Sequence, residues 1–114
     1  SSAASDVYKR QIGRHAFIAG GSLVRKDIPP FVKAAREPLS YVGINSVGLR
    51  RRGFSSEKIR EIQNIYRILY QKKFNNTQAI NIIEAEVEAT SDRDEILVFI
   101  KDSQRGIMKG YIQN

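Results

Sequence analysis

The chain has no cysteine and no tryptophan, and only three prolines, one methionine and one histidine among 114 residues. Without cysteine there is no disulfide framework and no thiolate metal site, a usage that fits a cytoplasmic protein. Long apolar runs are also missing. The segment Ile96-Leu97-Val98-Phe99-Ile100 falls far short of the ~20 residues that cross a bilayer, so no membrane span is expected. Acidic residues are scarce, 12 against 19 lysines and arginines, and the net charge is +7. The imbalance is local: residues 45–73 hold eight basic residues against Glu57 and Glu61, a net +6. Such a block attracts an anionic partner and speeds its encounter. A nucleotide, an acidic protein and a nucleic acid all qualify on charge.

The first 43 residues carry a faint repeat. Ile12, Ile18 and Val24 recur every six residues, with Gly13 after the first and Ala16, Ser22 and Ile28 four places on. A hexapeptide period belongs to a parallel β-helix, in which each coil buries its apolar face only against a neighbouring coil. The hexads predict one coil over 12–30 with Ile12, Ile18 and Val24 inward, and Pro29-Pro30 predict an exit turn over 26–30. A short strand is expected at 31–35 and a loop at 36–43. Residues 1–11 show neither hexads nor an apolar run, and are read as a non-native or disordered start. One coil is not a stable fold, so the chain is expected to be the C-terminal part of something larger.

From Asn45 onward the period changes to that of helices. Asn45 can cap a short helix ending near Arg52, with Gly53 suited to the left-handed stop. A long helix is expected over 55–73 on the stripe Ile59, Ile62, Tyr66, Leu69 and Tyr70, the two tyrosines belonging to the core. Asn75 with Gln78 forms a capping-box pattern before Ala79, Ile80, Ile83 and Val87. Ser91 with Asp94 repeats the device before Ile96, Phe99, Ile100 and Ile107. The expected fold class is α+β: the last coil of a left-handed parallel β-helix (12–43), then a helical domain (44–114).

At Asp27-Ile28-Pro29-Pro30-Phe31-Val32, and above all at Gly43-Ile44-Asn45-Ser46-Val47-Gly48-Leu49-Arg50-Arg51-Arg52-Gly53-Phe54-Ser55, the chain resembles the UDP-N-acetylglucosamine acyltransferases of lipid A biosynthesis. The resemblance implies transfer of a (3-hydroxy)acyl group from acyl carrier protein to the 3-hydroxyl of UDP-N-acetylglucosamine, in a homotrimer and with no metal or other cofactor. It implies that Arg51 and Arg52 approach the nucleotide phosphates, that Asn45 contacts the nucleotide end of the substrate, and that Gly20 lies where the acyl chain ends. Guanidinium forks suit phosphate because they bind it bidentately and stay charged. Val47 and Pro38 stand where some relatives carry an acidic residue and a histidine, so contacts made by those side chains are not expected here.

An acyl transfer needs a general base. His15 is the only histidine, yet the family's catalytic histidine lies in an earlier coil, so no catalytic residue is assigned within this chain. His15 is expected in a surface or subunit contact. Arg60 and Arg67, seven apart on one helix face, are candidates for the acidic surface of acyl carrier protein. Two rivals remain at this stage. A small basic helical module for nucleic acid would explain the charge but leaves the hexads unexplained. Another hexapeptide acyltransferase on a related nucleotide sugar would explain the hexads but not the motif at 45–55.

Overall fold

The computed structural model describes residues 10–71, 73–103 and 106–110. Most of the expected non-native start (1–9), and Lys72 of the basic block, lie outside the described residues. Three strands, β1 (Phe17–Ile18), β2 (Val32–Ala35) and β3 (Ser40–Ile44), form one sheet in the order β1-β2-β3. β1 and β2 run parallel, with Phe17 opposite Lys33 and Ile18 opposite Ala34. A further parallel bridge joins Ile12 to Ile28. The offset is constant at 16 residues (28 against 12, 33 against 17, 34 against 18), so residues 28–34 stack as a second rung on residues 12–18.

This corrects the expected exit turn at 26–30. Ile28 donates its N–H to the Gln11 carbonyl at 2.8 Å, and its carbonyl accepts from the Gly13 N–H at 2.7 Å. The prolines lie within this rung, between the Ile28 bridge and β2, at positions where no ladder hydrogen bond needs their N–H. They are buried against Gly13, where a Cβ would stand 2.2 Å from the Pro30 nitrogen; only glycine allows that approach. Ile12 also departs from the expected inward position, being 54 % exposed, whereas Ile18 and Val24 pack partly against the core.

The expected loop over 36–43 is in part β3, which pairs antiparallel with β2 through a bulge between Lys33 and Ala34. Its outer edge is covered from far along the chain: the Tyr41 N–H donates to the Lys109 carbonyl at 2.9 Å, and Tyr41 bridges to Gly110. A long-range partner of this kind leaves no local pattern.

Four helices follow: α1 (Ser46–Arg51), α2 (Ser56–Leu69), α3 (Asn76–Glu86) and α4 (Ser91–Asp102). Asn45 caps α1, Gly53 takes φ +91° after it, and Ser55 caps α2. The Asn75–Gln78 box closes in both directions, Gln78 N–H to Asn75 Oδ1 at 2.8 Å and Asn75 N–H to Gln78 Oε1 at 3.0 Å. Three boundaries differ from expectation. α2 stops at Leu69, with Tyr70 as its C-cap. Thr90, not Ser91, caps α4 by accepting from the Arg93 N–H. Ile107 lies beyond α4, bridged to Asp27.

The α2 stripe of Ile59, Ile62, Ile65, Tyr66, Ile68 and Leu69 packs in one cluster with Ile28, Phe31, Val32 and Ala34 of the second rung. Burial of each such aliphatic side chain contributes about 1.5–3 kcal/mol. As expected, Tyr66 is a core residue, and Tyr70, partly buried, packs against the core. Tyr66 donates its hydroxyl to the Pro30 carbonyl at 2.6 Å, Tyr70 donates to Met108 at 2.7 Å, and Tyr41 stacks on both rings. Asp27 fastens the chain's far end to the same rung. Its carboxylate accepts from Gln11 N–H and Ser103 Oγ, while its backbone bonds to Gly106 and Met108.

Candidate functional site

The junction between rung and helices is cross-linked by short backbone bonds. Phe31 N–H donates to the Arg14 carbonyl (2.9 Å) and Asn45 N–H to the Phe31 carbonyl (2.8 Å). The Asn45 side chain completes the set: Nδ2 donates to the His15 carbonyl at 3.1 Å, and Oδ1 accepts from Gly48 N–H at 3.2 Å. A Cβ at Gly48 would stand 2.4 Å from that Nδ2, so glycine is what lets the amide sit there. His15 and Phe31 both hold left-handed φ, +62° and +71°. Asn45 therefore fixes how α1 leaves the sheet, and with it where the α1 arginines stand.

Two separate cavities result. One, of about 390 Å³, lies between Phe17 and Lys33 of the sheet and Asn45, Ser46, Val47 and Arg51 of the α1 region. The other, of about 380 Å³, is bordered by Arg52, Phe54, Ser55, Lys58 and Asp92. The neighbouring arginines thus diverge: Arg51 shares a cavity with Asn45, and Arg52 does not. Successive positions point about 100° apart at a helical turn, which separates the two side chains.

Behind Arg52 an ionic network joins coil to helices. Arg14 forks onto Glu95 (2.8 and 3.2 Å) and reaches Asp92 at 3.7 Å, while Lys58 binds Asp92 at 3.1 Å. The Asp92 hydrogen bond raises the pKa of Lys58. His15 sits against Phe31 and Phe54, with ring centroids at 6.2 and 5.9 Å. Its pKa is lowered, first by burial and then by the charges of Arg52 and Arg14. Arg60 and Arg67 are exposed on α2, Arg67 donating to Asn64 Oδ1 at 2.7 Å. Gly20 is exposed, and a Cβ there would meet nothing within 4 Å; the positive φ of the turn falls on Gly21 instead. No cluster of metal-ligating side chains occurs among the described residues.

Sequence reasoning missed Lys33, Arg14, Asp92 and Glu95. The alternation Val32, Lys33, Ala34 would have put Lys33 on the outer face, but only the return of α1 shows that this face borders a cavity. The ion pairs at Arg14 span about 80 positions and leave no local signal.

Parallel rungs capped by four helices, with Asn45 and Arg51 on one cavity at their junction, define a mixed α+β unit with a cationic pocket. The sequence profile "Udp N-acetylglucosamine O-acyltransferase; Domain 2" matches residues 27–108, and the chain belongs to that family. It is 39 % identical over 99 residues to the acyl-[acyl-carrier-protein]–UDP-N-acetylglucosamine O-acyltransferase of Myxococcus xanthus, covering 87 % of this chain and 38 % of that protein. The enzyme of the same name from Halorhodospira halophila is 38 % identical over the same shares. Among solved structures, the UDP-N-acetylglucosamine acyltransferase of Bacteroides fragilis superposes with TM-score 0.86 at 48 % identity, over 89 % of this chain and 40 % of that one. The Francisella novicida enzyme gives 0.80 at 35 % identity, over 88 % and 37 %. The chain thus spans about two-fifths of the length of these relatives.

Proposed function

We propose that the protein containing this chain transfers a (3-hydroxy)acyl group from acyl carrier protein to the 3-hydroxyl of UDP-N-acetylglucosamine, the first step of lipid A biosynthesis. In this reading the sugar oxygen attacks the thioester carbonyl, a base takes its proton, and the carrier thiol leaves. The base comes from outside this chain. His15 is held between two phenylalanine rings and beside two arginines, and among the described residues no carboxylate bonds to its ring.

The chain's part is to bind and place substrates. The observation that carries this is the shared cavity of Asn45 and Arg51, in the segment that most resembles the family. Arg51 holds the phosphates there, and Arg52 serves them from the neighbouring face. Arg60 and Arg67 present charge on α2 to acyl carrier protein, and open Gly20 leaves room for the end of the acyl chain. The two rungs are the end of a left-handed parallel β-helix, working in the cytoplasm as a homotrimer. The half-exposed Ile12, Phe17 and Leu23 suit such stacking and assembly. No helix among the described residues is long and apolar enough to cross a membrane. Neither rival reading gains support, because the relatives above are named for UDP-N-acetylglucosamine acylation and none for nucleic-acid binding.

The test is a coupled thiol assay on the full-length protein. One free carrier thiol should appear per acylated sugar nucleotide, and none when UDP-N-acetylglucosamine is withheld. Thiol release that ignores the sugar nucleotide would overturn the reading.

A further inference from the structure

We propose that Lys33 is a second anion-binding residue of the Asn45–Arg51 cavity and binds the diphosphate of the nucleotide sugar together with Arg51. This rests on the nucleotide reading above and adds to it a residue from a different element. Lys33 lies on β2, opposite Phe17 of β1 and Gly43 of β3. Its neighbours Val32 and Ala34 are fully buried, so the pleat turns Lys33 to the other face, where it borders the cavity with Arg51. Glycine opposite it on β3 leaves the lysine stem room beside the strand.

The charge pattern favours an anion. Two cations line this cavity and no acidic residue does. Among the described residues neither Lys33 nor Arg51 has a carboxylate within salt-bridge distance, whereas Arg14, Arg25, Lys58, Arg93 and Lys101 each do. The neighbouring cavity at Arg52 differs in that Asp92 lines it and neutralises Lys58. A planar guanidinium and a mobile ammonium arriving from two walls suit two linked phosphates better than one. Val47, on the same wall, adds no opposing charge.

Full-length protein carrying Lys33→Ala, Lys33→Gln, Lys33→Arg or Arg51→Ala is titrated with UDP and, separately, with uridine. The sugar-nucleotide KM is measured alongside. Loss of one charge-assisted contact predicts about tenfold weaker UDP binding and a similar rise in KM for both neutral Lys33 variants. Uridine affinity, kcat and the KM for acyl carrier protein should stay within about twofold, and Lys33→Arg should retain most of the UDP affinity. Exposed Lys33 should tolerate these changes without loss of fold. Unchanged UDP affinity in Lys33→Ala and Lys33→Gln, with Arg51→Ala weakened, would overturn the proposal and leave the nucleotide reading standing. Unchanged affinity in Arg51→Ala as well would remove both.

Discussion

The α2 stripe is buried within the chain, whereas Ile12 and Phe17 of the first rung, and Leu23 just after it, stay about half exposed. The second rung resembles the helices in this respect: Ile28, Phe31, Val32 and Ala34 are fully buried because α2 and its neighbours cover them. The difference teaches how each kind of repeat gains stability. An amphipathic helix needs one apolar partner, which the same domain supplies. A β-coil needs a neighbour at each end of the stack, and here the helices act as that neighbour on one side.

The sharpest way to break this comparison is at Tyr66, which is fully buried and bonded to Pro30 across the junction. Tyr66→Ala should cost about 3–5 kcal/mol, and Tyr66→Phe about 1 kcal/mol, since the Pro30 carbonyl loses its donor. Chemical denaturation should show rung and helices lost in one transition. Helices that melt while the 28–34 amides keep their exchange protection would separate the two regions.

Alkali probes the same junction. Burial pushes Tyr41 up to about 12 and moves Tyr66 and Tyr70 upward as well. These tyrosines bind their protons more tightly folded than unfolded. The stability they contribute is therefore fully present below about pH 10 and declines above it, the share of Tyr41 being lost as pH rises through about 12. Each falls by about 1.4 kcal/mol per pH unit in that window. Denaturation midpoints flat from pH 8 to 10 and falling steeply above would confirm the sign. No fall above pH 10 would contradict the burial of the stack.

Smaller effects sharpen the comparison. Asp92→Asn should cost roughly 1 kcal/mol, because the Arg14 partner is half exposed, and the loss should shrink at high salt, read by thermal melting. Gly20→Met should leave stability within about 0.5 kcal/mol, since the space is open. In the full-length enzyme it should shift selectivity toward shorter acyl chains, each unaccommodated methylene being worth about 1 kcal/mol or more. An unchanged length profile in a folded variant would remove Gly20 from that role.

What was legible in the sequence follows the same division. The caps at Asn45 and Asn75, the start of the long helix at Ser55 and the stripe of α2 are local patterns, and each has its counterpart in the structure. The strand expected at 31–35 is β2, but its stacking as a second rung and the whole of β3 were not legible, because their partners lie 16 residues back or near residue 110. Thr90 took the cap from Ser91 since both hydroxyls suit it and only the backbone decides. At the site, Asn45 and Arg51 carried a motif, whereas Lys33 became visible only when α1 folded back beside β2.

The proposed function implies a division of labour in which the junction cavity would hold the nucleotide sugar and the outer face of α2 would receive acyl carrier protein. Steady-state kinetics on the full-length protein, varying each substrate in turn, test it most directly. Arg51→Ala should weaken the sugar nucleotide by about 1.5–3 kcal/mol and leave the carrier's KM unchanged. The Arg60→Glu, Arg67→Glu double variant should do the reverse, slowing carrier capture and flattening its salt dependence. Sugar-nucleotide affinity untouched by Arg51→Ala, or both variants raising the same KM, would contradict the account.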